Sequence, residues 1–283
     1  MINKEKVLWF LFYLDLLVII AYLVGASVGQ DFSSSGLIGL LVLTVPVLLV
    51  TLHAFWTLSP TRALIFFILA SGIGLVSEIF GLTYGVFFGG QYVYRSFGPA
   101  LFGVPLAVVL YWSVFIYTGY CLVTSSLYWL NRSKPNIANK NFWLLLLLVP
   151  ADGLVVLAID LFMDPLQVRD GSWTWLAGGP YFGVPVGNFV GWFIVAATST
   201  GVFRVYEYLF PAKKINIGKT VFLIPVIGYA LLAVSFGFSA INYKMYNLAA
   251  IGLLLMIPVS VVNVILYRLW ASRYSRHGTR HGD

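Results

Sequence analysis

The chain has 283 residues, of which 60% are hydrophobic and only 10% are charged, and its formal net charge is +7 at pH 7. A soluble domain carries about 25% charged residues, so this composition excludes an ordinary soluble protein and indicates an integral membrane protein. In such a protein the positive excess reports orientation in the membrane, and it does not indicate nucleic-acid binding.

Eight apolar segments follow one another along the chain, each about long enough to cross a bilayer core of ~30 Å. Backbone polar groups in lipid must be satisfied within the segment, so we expect each segment to be an α-helix. The predicted fold is therefore an all-α integral membrane protein with about eight transmembrane helices. The predicted segments are residues 7–29, 36–58, 61–82, 102–130, 141–163, 183–210, 218–239 and 247–271.

The positive residues are distributed unevenly between the two sides of these helices. With the N-terminus inside, fourteen of the seventeen lie on the inner side, and only Arg95, Arg169 and Lys244 lie in outer loops. This positive-inside pattern predicts a multi-pass protein of the cell membrane with both termini in the cytoplasm. We expect one membrane domain over residues 1–270 and a basic cytoplasmic tail over residues 271–283.

Two similar segments indicate an internal repeat. Residues 98–112, "GPALFGVPLAVVLYW", and residues 178–192, "GGPYFGVPVGNFVGW", are identical at six of fifteen positions. They predict a parallel repeat in which helices 3 and 4 form one hairpin and helices 5 and 6 form the other. We expect Pro105 and Pro185 in the first turns of their helices, where a missing N–H costs little. Non-helical backbone at membrane depth must either be covered by protein or line a cavity. We therefore expect a pocket at the outer loops, which are residues 83–101 and 165–182.

Acidic side chains within the predicted helices are the first candidates for function, because a charged acid deep in a bilayer costs roughly 2.5–3.5 kcal/mol. Glu78 lies near the outer end of the third helix. Ser71, Gly74 and Gly81 share its helical face, which is therefore small and polar. Such a face either packs closely against a neighbour or lines a cavity.

Asp160 and Asp164 lie four residues apart near the outer end of the fifth helix, so their side chains share one face. We expect Pro165 to end this helix. Two neighbouring carboxyl groups disfavour double ionisation, so the pair can hold a proton. Asn188 lies one turn into the sixth helix and can hydrogen-bond an acid or orient a water molecule. Its counterpart in the first copy of the repeat is Val108.

Two further acids are weaker candidates. Asp152 lies nearer the middle of the membrane, about 80° round the helix from Asp160, and Asp15 lies on the first helix toward the inner side. The single cysteine, Cys121, and the three histidines have no metal-ligand spacing, and no nucleotide-binding motif is present. We therefore expect neither a metal nor another cofactor.

Four motifs in order resemble the carotenoid biosynthesis family that includes bisanhydrobacterioruberin hydratase and gamma-carotene 1′,2′-hydratase. They are "SEIFGLTYGVFFGGQYVY", "GPALFGVPLAVVLYW", "DLFMDPLQVRDGSWTW" and "GGPYFGVPVGNFVGW". The resemblance covers residues 75–195, and the flanking helices match only by hydropathy. It implies addition of water to the terminal double bond of an acyclic carotenoid end group, of the bacterioruberin or gamma-carotene type. It also places the motif acids of the family at Glu78 and Asp164 and the asparagine at Asn188.

Hydration of such an alkene begins with a proton and passes through a tertiary cation that water captures. A buried acid among Glu78, Asp152, Asp160 and Asp164 would supply the proton, and a second acid or Asn188 would position the water. Aromatic rings would stabilise the cation, an attraction worth ~2 kcal/mol or more when desolvated. The implied partners are an acyclic carotenoid, water and the lipid bilayer. Contact with other membrane enzymes of the pathway is left open. No nucleic acid is expected as a partner. The aromatic candidates for substrate binding are Tyr92, Tyr94, Trp173, Trp175, Tyr181 and Trp192.

Other functions stay open at this point. A cyclase or isomerase acting on the same end group would use the same acid and aromatic residues but exclude water. Glycine- and proline-broken helices with internal repeats also occur in transporters. Against transport, the acids gather on one side of the membrane and mark no path across it. A passive pigment-binding protein would not need the acids.

Overall fold

The structure is a computed structural model that describes residues 3–28, 36–95, 98–130, 142–211 and 217–278. Residues 131–141, "NRSKPNIANKN", which follow the fourth predicted helix on the inner side, lie outside the described residues. So do the last five residues of the predicted basic tail.

Within the described ranges, eight helices are long and apolar enough to cross a membrane. The prediction of an all-α multi-pass membrane protein is thus confirmed. Each observed helix overlaps one predicted segment. The helices are α1 (Lys4–Ser27), α2 (Leu37–Thr57), α3 (Pro60–Tyr84), α4 (Leu106–Leu130), α5 (Leu145–Asp170), α6 (Val186–Leu209), α7 (Leu223–Asn242) and α8 (Tyr246–Gly278).

Four short strands lie in the two loops that precede α4 and α6. They are β1 (Tyr92–Tyr94), β2 (Ala100–Leu101), β3 (Val104–Pro105) and β4 (Trp173–Trp175). β1 pairs antiparallel with β4, which joins the two loops, and β2 pairs with β3 in a tight hairpin. These strands were not predicted from the sequence. The end of the bundle that carries them is called the sheet end below.

The two similar segments form the same kind of turn. Phe102 and Gly103 have φ values of 52° and 85°, and Phe182 and Gly183 have values of 50° and 90°. Glycine adopts positive φ at little cost, whereas a bulky residue rarely does. In each segment the backbone pairs across the turn. The local turn is therefore built twice, while the repeat of whole helical hairpins stays a prediction.

The prolines correct two sequence-based expectations. The expectation that Pro165 ends the fifth helix is wrong, because α5 continues to Asp170 and contains Pro150 as well. Membrane helices tolerate internal proline where neighbouring groups satisfy the freed backbone carbonyl. Pro105 lies in β3 and Pro185 is the N-cap of α6, so both precede their helices rather than occupying the first turn.

α4 lies at the centre of the bundle, where it packs against α2, α3, α5, α6, α7 and α8. Its side chains Trp112, Ile116 and Tyr117 are almost fully buried. α1 packs against α2 and α7 at the side of the bundle. This arrangement leaves a chamber whose lining includes residues of α1 to α7.

Candidate active site

A chamber of about 710 Å³ runs along the inside of the bundle. On α2 it is lined from Gly39 to His53, which corresponds to roughly 20 Å of helix length. At the sheet end its lining includes Arg95, Asp170 and Tyr243, which are exposed. The chamber is therefore long, mostly apolar in its walls, and open to solvent at the sheet end.

Glu78 is held in the chamber wall by three hydrogen-bond donors. Its carboxyl oxygen Oε2 accepts from the hydroxyls of Tyr92 at 2.5 Å and Tyr94 at 2.7 Å, and Oε1 accepts from Trp112 Nε1 at 3.0 Å. The side chain is only 4% exposed. Burial, and then the charge of Glu78, raises the pKa of both tyrosine hydroxyls above the ordinary value, so both remain donors. Three donors around one carboxyl group suit a fixed carboxylate.

The small face of α3 makes this arrangement possible. A methyl group at Gly74 would lie 2.4 Å from the Trp112 ring, and one at Gly81 would lie 2.7 Å from the Tyr92 hydroxyl. These glycines lie one turn before and one turn after Glu78. Only glycine at both positions lets the two rings approach closely enough to donate to the carboxylate.

Asp160 and Asp164 form a second acidic group, bridged by Asn188. The amide nitrogen Nδ2 of Asn188 donates to Asp160 Oδ2 at 3.0 Å and to Asp164 Oδ2 at 2.7 Å. Because one nitrogen contacts both carboxyl groups, the two acids are neighbours. Asp160 is fully buried, whereas Asp164 is 2% exposed and lines the chamber. Oδ1 of Asp164 is buried and has no hydrogen-bond partner among the described residues.

Asp164 and Glu78 belong to one site. Both line the chamber, and their carboxyl groups are close enough to interact electrostatically. The loop after α3 is held against the start of α6, where a methyl group on Gly187 would lie 2.5 Å from the Gly89 backbone. This close approach places Asn188 beside the acids. The site thus combines one carboxylate held by three donors and one acid pair with an unpartnered oxygen.

Aromatic rings surround these acids. The ring centroids of Trp112 and Trp192 are 4.1 Å apart. Trp112 was not among the site residues predicted from the sequence, although its identity with Trp192 in the two similar segments could have indicated it. Across β1 and β4, the ring centroids of Tyr92 and Trp175 are 5.5 Å apart, and those of Tyr94 and Trp173 are 5.7 Å apart. The predicted substrate-binding residues that line the chamber are Tyr92, Tyr94, Trp173, Trp175 and Trp192.

Tyr181 differs from the other predicted aromatic residues. Its ring packs edge-on against Phe182 and Phe189, and it is not part of the chamber lining formed by the described residues. Its hydroxyl is buried and interacts electrostatically with Asp160. Tyr181 therefore lies near Asp160 but outside the chamber lining.

Asp152 lies apart from this site and pairs with Arg204. The guanidinium Nε donates to Asp152 Oδ2 at 2.5 Å, and a terminal nitrogen donates to Oδ1 at 2.7 Å. The same guanidinium group donates to Thr124 and stacks 4.6 Å from the Tyr120 ring centroid. Both members of the pair are buried. This bidentate ion pair joins α5 to α6 and gives the buried Asp152 a structural role.

We expect Asp152→Ala to destabilise the protein, because it leaves the charge of Arg204 buried without a partner. The expected loss in free energy of unfolding is about 3–5 kcal/mol. A lower thermal midpoint of the variant in detergent would report this loss. The double variant Asp152→Leu/Arg204→Met is the matched control and should recover most of the loss. A normal thermal midpoint for Asp152→Ala would contradict a structural role.

The fold and the site define a class: a multi-pass membrane protein with an acid-lined, largely apolar chamber among its helices. The carotenoid biosynthesis protein family matches residues 37–259, which is most of the chain. The chain belongs to this family. Searches of curated proteins and of solved structures found no match.

Proposed function

We propose that the protein is a carotenoid hydratase, an enzyme that adds water to the terminal C=C bond of an acyclic carotenoid end group. The observation that carries this proposal is Asp164. It is a buried acid at the chamber surface with a second carboxyl group beside it and with one oxygen that has no hydrogen-bond partner among the described residues. Membership of the carotenoid biosynthesis family supplies the class of substrate.

Asp164 is the proton donor in this proposal. Two carboxyl groups bridged by one amide nitrogen disfavour double ionisation, so the pair of Asp160 and Asp164 retains a proton. Asp164 faces the chamber and transfers this proton to the less substituted carbon of the double bond. The C=C π bond breaks, a C–H bond forms, and a tertiary cation is left on the neighbouring carbon.

Glu78 and the aromatic rings stabilise that cation. The carboxylate is held by three donors, so its negative charge stays fixed in the chamber wall while the positive charge develops. The faces of Trp112, Trp192 and Trp175 add cation–π attraction. Water then forms the new C–O bond and loses one proton, which gives a tertiary alcohol.

The shape of the chamber suits a long polyene. The acids lie toward the sheet end, where solvent enters, and the apolar lining continues to His53 near the opposite end of α2. A linear hydrocarbon chain placed along this lining presents its terminal double bond to Asp164. Water therefore reaches the reacting end while the rest of the chain remains in an apolar environment.

Product analysis tests this function. The purified protein is reconstituted in lipid and incubated with lycopene, an acyclic carotenoid with two unmodified isoprenoid ends. The expected product is heavier than lycopene by the mass of one water per reacted end. A product of unchanged mass would instead show cyclisation or isomerisation, and binding without any product would favour a transport or pigment-binding role.

We propose further that the protein resides in the cell membrane with both termini in the cytoplasm. The distribution of lysine and arginine supports this orientation, which places the sheet end outside. Reporter fusions after residues 135 and 215 should report cytoplasm, and fusions near residues 95, 170 and 243 should report the outside. An outside signal at residue 135 or 215 would contradict the proposed orientation.

A further inference from the structure

The side chain of Gln167 is a polar group of the chamber that the proposed reaction leaves unused. It lies on α5, three residues after Asp164, and both residues line the chamber. The side chain is partly exposed, and its amide makes no hydrogen bond with another described residue. The amide oxygen and nitrogen are therefore free to bind what enters the chamber.

Gln167 lies between the proton donor and the open end of the chamber. Asp170, three residues further along α5, lines the mouth of the chamber and is exposed. Its carboxylate accepts from the hydroxyl of Tyr243 at 3.1 Å and from that of Ser172 at 3.2 Å. These groups at the mouth are bonded to one another. Water that enters along α5 from the sheet end therefore reaches the free amide of Gln167 before it reaches Asp164.

Helix geometry places the side chains of Asp164 and Gln167 next to each other. Residues three apart on a helix are surface neighbours with Cβ atoms about 5–6 Å apart, and the second lies ~4.5 Å further along the axis. A hydrogen bond to water spans about 2.8 Å between heavy atoms. One water molecule can therefore bind the Gln167 amide and the Asp164 carboxyl group together, on the solvent side of Asp164.

Hydration requires this arrangement of acid and water. The proton adds to one carbon of the double bond and the oxygen adds to the neighbouring carbon, so the water must lie beside the acid along the substrate chain. Asn188, the other amide of the site, is less suited to hold this water, because its nitrogen already donates to Asp160 and Asp164. Gln167 has the free amide and the spacing that the reaction needs.

We infer that Gln167 positions the attacking water beside Asp164, and that the acid pair takes back the proton that this water loses. The inference rests on the proposed function. After Asp164 has transferred its proton to carbon, the oxygen of the water forms a C–O bond to the tertiary cation. One O–H bond of the water breaks, and the Asp164 carboxylate accepts that proton, which restores the pair. Each turnover therefore adds one water and needs no proton from another source.

Deuterium exchange separates the positioning of water from the delivery of the proton. Protonation of the double bond is reversible, so a cation that water does not capture loses a proton and re-forms an alkene. In heavy water, Gln167→Met should hydrate lycopene about tenfold more slowly, which corresponds to the loss of one hydrogen bond at its upper value. Deuterium on carbon in the recovered lycopene should stay at the wild-type level or rise, whereas Asp164→Asn should lose both hydration and exchange.

Stability and a matched control separate this role from a structural one. The Gln167 amide makes no hydrogen bond with a described residue, so Gln167→Met and Gln167→Leu should keep the thermal midpoint of the wild type. Gln91→Met makes the same change at an exposed residue outside the chamber lining. It should leave hydration, exchange and the thermal midpoint unchanged.

Two results would overturn the inference while leaving the proposed function intact. One is hydration by the folded Gln167→Met and Gln167→Leu proteins within twofold of the wild-type rate. The other is an equal loss of hydration and of deuterium exchange in these variants, which would place the role of Gln167 before the cation forms. If the wild-type protein itself neither adds water nor exchanges deuterium, the proposed function fails and this inference fails with it.

Discussion

Asp164→Asn should slow hydration by about 100- to 10,000-fold, the range that a positioned general acid contributes. An amide has nearly the shape of the carboxyl group but cannot deliver the proton that forms the cation. Its contact with Asn188, now 2.7 Å, can persist with the amide oxygen as acceptor. The variant should therefore fold and bind lycopene while producing almost no alcohol. Turnover per folded protein, with thermal midpoint and carotenoid binding measured in parallel, tests this expectation.

Asn188→Ala should reduce turnover at the same site, but less than Asp164→Asn. It removes the donor that bridges Asp160 and Asp164 but leaves both carboxyl groups in place. The expected loss is roughly 10- to 100-fold, the worth of a hydrogen bond to a charged group, and smaller than that of Asp164→Asn. Near-normal turnover by folded Asp164→Asn would show that another acid donates the proton.

Glu78→Gln should also reduce turnover by about 100-fold or more, for a different reason. The change removes the negative charge that faces the developing cation. It also turns an amide NH₂ toward at least one of the three donors that now point at the carboxylate. Proton delivery by Asp164 stays available, so deuterium exchange and hydration should fall together because the cation itself is less stable.

Tyr94→Phe is the matched control for Glu78→Gln. It removes the 2.7 Å hydrogen bond to Oε2 but keeps the ring and the carboxylate charge. Its expected loss is about tenfold, near the lower value of a hydrogen bond to a charged group. If Glu78→Gln and Tyr94→Phe reduced turnover equally at equal thermal midpoints, the charge of Glu78 would not be the property that matters.

The sequence predicts the helices well because hydropathy alone determines which segments enter the bilayer. It fails at Pro165, since whether a proline ends a helix depends on the neighbours that satisfy the freed carbonyl, and those neighbours come from distant parts of the chain. The strands β1 and β4 were missed for a similar reason. Each has only three residues, and their pairing joins loops some 80 residues apart.

The candidate site, like the fold, could be predicted from the sequence only in part. Helical periodicity places Asp160 beside Asp164, and the position of Asn188 at the start of α6 makes it available to an acid. Periodicity cannot tell that Asp152 meets Arg204, because that contact depends on how α5 packs against α6. Nor can it show that Asp15 enters the same chamber from α1. Contacts between helices that are distant in sequence need the folded structure.

Isotopic labelling of water tests directly whether the protein hydrates a carotenoid end group. Lycopene is incubated with the reconstituted protein in water whose oxygen is labelled with the heavy isotope, and the product is analysed by mass spectrometry. We expect a tertiary alcohol that has gained one water per reacted end and whose new oxygen carries the label. The Asp164→Asn protein, equally folded, should give none of it. A product of unchanged mass, or an added oxygen without the label, would contradict hydration of the carotenoid end group.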